Sequence, residues 1–279
     1  MCYQWGMVVT ILDGPLGTEL LRRGVPTPLP GWSSHALTEA PEVVASIHSE
    51  YAEAGARVHT TNTFRTRRRT FPESWEELTR RAVELCRGAI PADHRVAGCM
   101  APLEDCYRPD LSPKESRSEH RELAVVLADA GCDLLLCETF PNVSEGLIAV
   151  EEALATNTET WASFTAGPEA NLLTPRELHD AAKGAVERGA SAVLVNCVPA
   201  SKIEPYVEQL SELGVPFGAY ANAGEADEGF GWRSTPEEPA RYVAVAERWA
   251  ELGATIIGGC CGTGPQHVRA LAQRFAANA

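Results

Sequence analysis

Two cysteines stand side by side in Ile256-Ile257-Gly258-Gly259-Cys260-Cys261-Gly262-Thr263-Gly264-Pro265, at the end of the last apolar run of the chain. A third, Cys197, ends an earlier apolar run, Ala192-Val193-Leu194-Val195-Asn196-Cys197. Adjacent thiols in a bed of glycines can both turn toward one point. A third thiol arriving from another strand end completes a trio able to hold one soft metal ion. Three protein ligands leave the fourth position of a tetrahedral ion open, which is the pattern of a reactive centre; structural zinc sites are usually closed by four. The glycine turn opening a helix at Gly264-Pro265 could instead cradle phosphate, but the flanking cysteines favour metal. Cys86 and Cys132 fall in or beside helical segments and read as small buried hydrophobes. Cys2, Cys99, Cys106 and Cys137 show no metal-ligand spacing. None of the seven histidines forms a helical pair four residues apart, and His59, within an expected strand, reads as a core residue.

The elements that must position these thiols are legible from punctuation. Charged or alanine-rich turns run into glycine and then a strand at Glu53-Ala54-Gly55-Ala56, Asp129-Ala130-Gly131-Cys132, Glu187-Arg188-Gly189-Ala190, Glu212-Leu213-Gly214-Val215 and Glu251-Leu252-Gly253-Ala254. Glycine just past a helix takes the left-handed conformation that ends it. Repeated helix-to-strand returns mean alternating βα units and a parallel sheet. Strands are expected near 8–12, 57–60, 95–98, 133–137, 160–164, 192–196, 217–220 and 255–258, several as the continuous apolar runs of strands covered on both faces. Thr174-Pro175-Arg176-Glu177 is a capping box with proline at the first helical position. Ser74-Trp75-Glu76-Glu77 is a second candidate, opening a helix with Trp75, Leu78, Ala82 and Leu85 on one face. Eight such units fit a single (β/α)8 barrel domain spanning 1–279 better than an open doubly wound sheet. Barrel chemistry sits at the C-terminal strand ends, where Asp13, Asn62, Glu138, Asn196, Cys197, Asn222, Cys260 and Cys261 collect.

Composition narrows the setting. The chain carries 24 basic and 38 acidic residues, a formal charge of −14, which argues against nucleic acid or an anionic membrane as partner. With 44% hydrophobic residues it can bury a substantial core, while its apolar runs stay strand-sized, short of a membrane helix. The N-terminal segment has no basic stretch before a hydrophobic run, so no secretory signal is expected. Nine cysteines, an odd number, fit reduced thiols and a cytoplasmic protein. The run Arg65, Arg67, Arg68, Arg69 could meet an anionic substrate, but a solvated helix face is the plainer reading.

Several segments together resemble the zinc-dependent homocysteine S-methyltransferase family. They are Leu12-Asp13-Gly14-Pro15-Leu16-Gly17-Thr18-Glu19-Leu20, Thr60-Thr61-Asn62-Thr63-Phe64, Cys137-Glu138-Thr139-Phe140-Pro141-Asn142, Asn196-Cys197, Tyr220-Ala221-Asn222-Ala223-Gly224-Glu225 and Gly258-Gly259-Cys260-Cys261-Gly262-Thr263. The likeness runs through nearly the whole chain with the motifs in order, and the two cysteine motifs carry most of its specificity. It implies a (β/α)8 barrel in which Cys197, Cys260 and Cys261 bind Zn2+. It also implies methyl transfer from a small onium donor (S-methylmethionine, S-adenosylmethionine or betaine) to the thiol of homocysteine, a step of methionine biosynthesis. The implied partners are thus a small-molecule thiol and a methyl donor. Asp13 and Glu138 would hold the substrate ammonium, and backbone amides of the turn at Gly14 its carboxylate. Pro15 departs from the commoner Asp-Gly-Gly pattern and removes one donor, leaving Gly14 and Leu16. Trp32 matches a loop tryptophan near the donor in betaine-using relatives, with Tyr220 and Phe140 as further aromatic candidates and Asn62 at the mouth. Alternative readings are another thiol or selenol as acceptor, or a zinc- or thiol-binding barrel without turnover. A phosphate-binding barrel such as an aldolase is disfavoured, since no lysine ends an expected strand.

Overall fold

The computed structural model describes residues 8–223 and 238–276; Cys2 and the Gly224-Glu225 end of the 220–225 segment lie outside them. Eight parallel strands follow one another in the order β1-β8-β7-β6-β5-β4-β3-β2. They are β1 (Thr10–Ile11), β2 (Val58–Thr60), β3 (Arg95–Met100), β4 (Leu134–Phe140), β5 (Thr160–Phe164), β6 (Ala192–Pro199), β7 (Phe217–Asn222) and β8 (Ile256–Gly259). A parallel bridge between Leu12 and Val58 joins the two ends of that order, with Arg57 N donating to Ile11 O at 2.8 Å and Asp13 N to Val58 O at 3.0 Å. The sheet thus closes on itself as the expected (β/α)8 barrel.

Alternation along the strands sends side chains to two apolar regions. Leu12, Val58, Ala97, Leu134, Leu136, Trp161, Leu194 and Ile256 pack with one another inside the barrel. Ile11, Val96, Leu135, Val193, Ala219 and Ile257 face the other way, against the helices. Those helices include α1 (Leu16–Arg22), α2 (Ala36–Glu39), α3 (Pro41–Ala54), α4 (Trp75–Ala89), α5 (Arg117–Asp129), α6 (Val143–Leu154), α7 (Pro175–Arg188), α8 (Glu204–Leu210), α9 (Glu238–Glu251) and α10 (Pro265–Ala276). The glycine joints behave as the punctuation required: Gly55, Gly131, Gly189, Gly214 and Gly253 all have positive φ, from 70° to 115°. Thr174 forms the capping box with Glu177 that opens α7. Ser74 does not: it precedes α4 but its side chain caps nothing, because its ψ of 0° turns it out of the extended N-cap geometry. No described helix is long and apolar enough to cross a membrane.

Two strands, β4 and β6, run three residues past their expected ends. β4 continues through Glu138 and β6 through Cys197, because each carries an irregularity, between Cys137 and Phe140 and between Asn196 and Pro199. Within these bulges Thr139 and Cys197 adopt φ of 63° and 54°, the left-handed region that costs a non-glycine residue about 1–3 kcal/mol. One side chain holds both. Asn196 Oδ1 accepts from Thr139 N at 3.1 Å and from Ser163 Oγ at 2.8 Å, while its Nδ2 donates to Thr139 Oγ1 at 2.7 Å.

Behind the β1–β2 seam lies a run of buried imidazoles. Arg57 Nη1 is 2.7 Å from His94 Nε2, and His94 Nδ1 is 3.1 Å from His59 Nε2. A guanidinium only donates, so neutral His94 keeps its proton on Nδ1, passes that hydrogen bond to His59, and leaves the His59 proton on Nδ1. Burial lowers His48 to about 4, His59 to about 3 and His267 to about 4. All three are neutral in the folded protein, whereas the unfolded chain protonates each near pH 6.5. Below that pH the unfolded state binds more protons, so stability is lost progressively until the folded values are reached. His48 has no hydrogen-bond partner on either ring nitrogen among the described residues. His48→Leu is therefore expected to flatten the acid-side loss of stability by about 1.4 kcal/mol per pH unit between about pH 6 and 4.5, as read from urea unfolding at each pH.

Candidate metal and substrate site

The C-terminal strand ends surround a cavity of about 360 Å³, within the roughly 300–1,000 Å³ of small-molecule sites. A larger depression of about 970 Å³ runs along α4; it is lined by exposed charged groups and holds none of the thiols, so the chemistry belongs to the smaller one. The cavity wall brings together Asp13, Gly14, Trp32, Asn62, Glu138, Cys197, Tyr220, Cys260 and Cys261, all candidates from the sequence. Arg65 is there too, with Phe64, Cys99, Asp105, Cys106 and Tyr107 beside it. Asn196, Asn222 and Phe140 are not in the wall. Phe140 instead packs in the core beside His120, ring centroids 5.7 Å apart, because the β4 bulge re-aims the residues after Glu138.

Cys197 comes from the β6 bulge and the adjacent pair from the turn after β8. Cys260 N donates to Ala221 O at 2.8 Å and Ala223 N to Cys261 O at 3.0 Å, so the pair is laced to β7. Thr263 Oγ1 donates to Cys260 O at 2.8 Å and lies where a side chain on Gly259 would be, 2.2 Å from its Cβ position; glycine is required there. From α9, Tyr242 Oη accepts from Ala221 N at 2.9 Å and donates to Gly258 O at 2.8 Å, bracing the same turn. The three sulfurs lie within 4.8 Å of one another, Cys197 and Cys260 at 2.7 Å. A tetrahedral ion with sulfur ligands at about 2.3 Å spaces them by roughly 3.8 Å, inside that span, and all eight described cysteines are free thiols. The trio shares its protons: hydrogen bonds from Cys197 and Cys260 hold the Cys261 thiol well below the usual range, while the bonds to Cys260 and Cys261 push Cys197 up. Asp13, His48 and His59 also offer atoms within 4.8 Å. There His59 Nε2 is already taken up by His94 and the Arg57–His94 chain leaves the proton on His59 Nδ1, so His59 has no free lone pair to offer an ion.

Two carboxylates face the thiols from buried positions. Asp13 Oδ2 accepts from Thr60 N at 2.8 Å and Oδ1 from Thr60 Oγ1 at 3.1 Å. Glu138 Oε2 accepts from Tyr220 Oη at 3.0 Å, and Cys99 adds a thiol hydrogen bond. Burial raises both carboxyls above the ordinary range, Asp13 strongly, although those hydrogen bonds oppose it. Such groups gain most from a cation placed between them. Trp32 and Phe64 make an aromatic wall, edge to face with centroids 5.6 Å apart. Gly17 admits the Trp32 ring, which lies 2.1 Å from where its Cβ would be, and Asn62 Nδ2 donates to Ser33 O at 2.9 Å, tying down the loop that carries Trp32. The Arg65–Arg69 run is no solvated helix face throughout: Arg65 lines the cavity and Arg67 is buried against the Phe64 and Pro102 carbonyls. Tyr107 and Asp105, on the loop after β3, had no motif to announce them.

Comparison with known proteins gives the chain its relatives. The family model for homocysteine S-methyltransferase matches residues 10–275. Homocysteine S-methyltransferase of Escherichia coli strain K12 is 31% identical over 297 residues, covering 95% of each chain. Selenocysteine Se-methyltransferase of Brassica oleracea is 28% identical, covering 95% of this chain and 88% of that protein. The crystal structure of the E. coli homocysteine methyltransferase in its metallated form superimposes with a TM-score of 0.80 at 27% identity, covering 96% of this chain and 97% of the other. A barrel with three convergent thiols, matched over its length by that family, is a methyltransferase: the chain belongs to the homocysteine S-methyltransferase family.

Proposed function

We propose that this protein transfers a methyl group from a small onium donor (S-methylmethionine, S-adenosylmethionine or betaine) to the thiol of homocysteine, giving methionine, with Zn2+ held by Cys197, Cys260 and Cys261. The observation that carries the reading is the placement of three buried thiols and two buried carboxylates in one cavity. A thiolate donor set suits zinc. Once bound, the ion would supply an acid strong enough to keep a substrate thiol as thiolate near neutral pH.

The chain's own residues do the rest. For a sulfonium donor the balance is R–SH plus R′2S+–CH3 giving R–S–CH3, R′2S and one proton; the S–CH3 bond of the donor breaks with its electron pair staying on the departing sulfur. Asp13, held by Thr60, and Glu138, held by Tyr220, grip the amino-acid end through its ammonium and point the thiol inward. The amides of Gly14 and Leu16 meet the carboxylate at the start of α1. Trp32 and Phe64 offer π faces to the positive donor centre. Burial of the thiol wall excludes water that would compete for the methyl group.

Purified protein is expected to contain about one zinc per chain and to form methionine from homocysteine with at least one of the three donors. Cys197→Ala, Cys260→Ala or Cys261→Ala should each abolish both. A zinc-free, fully active protein would sink the reading, and product from selenocysteine alone would move the acceptor to a selenol. Asp13→Asn should lower kcat/KM for homocysteine roughly 10- to 100-fold, the worth of one charge-assisted hydrogen bond. Asn196→Ala touches no ligand atom but frees both bulges; zinc affinity measured against a chelator should fall roughly 10- to 100-fold, with the circular dichroism spectrum retained.

A further inference from the structure

The outer half of the cavity holds one basic and one acidic side chain that the reaction as described leaves unused. Arg65 Nη1 donates to Glu104 O at 3.1 Å, which fixes the guanidinium, and its carbon stands 5.7 Å from the Phe64 ring centroid. Its Nε is buried and has no hydrogen-bond partner among the described residues. No carboxylate among the described residues pairs with Arg65, whereas Arg68 pairs with Glu122 at 2.9 Å and Arg69 with Glu119 at 2.6 Å. On the loop that Arg65 grips, Asp105 Oδ1 accepts from Tyr107 N at 2.8 Å, and its carboxylate makes no ion pair among the described residues. Both groups line the same cavity as Trp32 and Phe64.

A fixed guanidinium beside the aromatic wall would repel an onium centre that arrived alone. The repulsion turns into attraction when the same molecule carries a carboxylate a few bonds from its cationic atom, since a guanidinium binds carboxylate through two parallel N–H donors. A carboxylate without an ion pair on the loop that Arg65 grips then suits an ammonium. We infer that Arg65 and Asp105 form the recognition site for the amino-acid head of the methyl donor: Arg65 takes its carboxylate and Asp105 its α-ammonium, selecting an α-amino-acid onium over betaine. The inference rests on the methyl-transfer reading above and assigns these two residues to the donor, while Asp13 and Glu138 keep the acceptor.

The test compares S-methylmethionine, betaine and trimethylsulfonium, which has no carboxylate, as donors for the zinc-loaded enzyme, alongside calorimetric binding of S-methylmethionine. Arg65→Met is expected to raise the S-methylmethionine KM and Kd roughly 10- to 100-fold. The homocysteine KM should stay as it was, the rate with trimethylsulfonium should hold or rise as the repulsion is relieved, and Arg65→Lys should recover part of the loss. Asp105→Asn should weaken S-methylmethionine and leave betaine unchanged. An S-methylmethionine KM and Kd within twofold of the parent in Arg65→Met overturns the assignment. So does a rise in homocysteine KM instead, or an equal loss with trimethylsulfonium. If the parent protein makes no methionine with any donor yet binds S-methylmethionine in an Arg65-dependent way, the methyl-transfer reading fails and the recognition site stands. If it neither turns over nor binds, both fail.

Discussion

Convergence of three sulfurs depends on the backbone of β6 leaving regular strand geometry at Cys197. In an unbroken strand successive side chains alternate between the barrel interior and the helices, and Asn196 and Cys197 could not both serve the mouth. The bulge between Asn196 and Pro199 and the positive φ of Cys197 break that alternation. A cysteine has no intrinsic reason to sit there, so something must over-determine it. Asn196 does, spending all of its amide on Thr139 and Ser163 and thereby fastening the distorted strand to its neighbours. The strain sits where the chemistry is, and the clamp that holds it makes no contact with the reaction.

From that point the cavity divides by charge and solvation. The inner half is thiol and carboxylate, lined by groups whose acidity burial has shifted. The outer half is aromatic, with opposite charges at its rim. An anionic inner half and a π-faced outer half attract the same kind of molecule from two directions. In the proposed reaction one positive centre goes between the carboxylates and another against the rings. The imidazole chain behind Asp13 works differently, because Arg57 fixes the direction of every hydrogen bond in it.

How much of this was legible in the residues follows from what each signal physically encodes. Glycine after a charged turn reports a local conformation, so all five helix returns could be read and the barrel counted. The three cysteines report ligand chemistry, and strand ends report position, so Cys197, Cys260, Cys261, Asp13 and Glu138 could be placed at one mouth. A bulge leaves no such trace: that Glu138 and Cys197 lie within strands, and that Phe140 turns away, depends on contacts between β4, β5 and β6 that are remote in sequence. Asn62 could be put at the mouth from its place after β2, but its bond to Ser33 could not be foreseen. Arg65 looked like its neighbours Arg67, Arg68 and Arg69, since four arginines within five residues differ only in what the fold sets beside them. Ser74 failed as a cap because the preceding turn, which is set by tertiary packing, fixes its ψ.

The seam between β1 and β2 gives Asp13 a second duty. Only one bridge, Leu12 to Val58, joins these strands, and beyond it the Thr60 amide finds no strand carbonyl but the Asp13 carboxylate. The last stitch of barrel closure is therefore made by a side chain that the proposed reaction assigns to the substrate. A ligand that grips Asp13 only when the seam is shut draws on the same free energy as folding, so occupancy and resistance to unfolding must rise together. At one hundred times its dissociation constant such a ligand adds about 2.7 kcal/mol. On that proposal the barrel is least self-sufficient on the side where its small molecule would arrive, and cargo there would be part of the architecture.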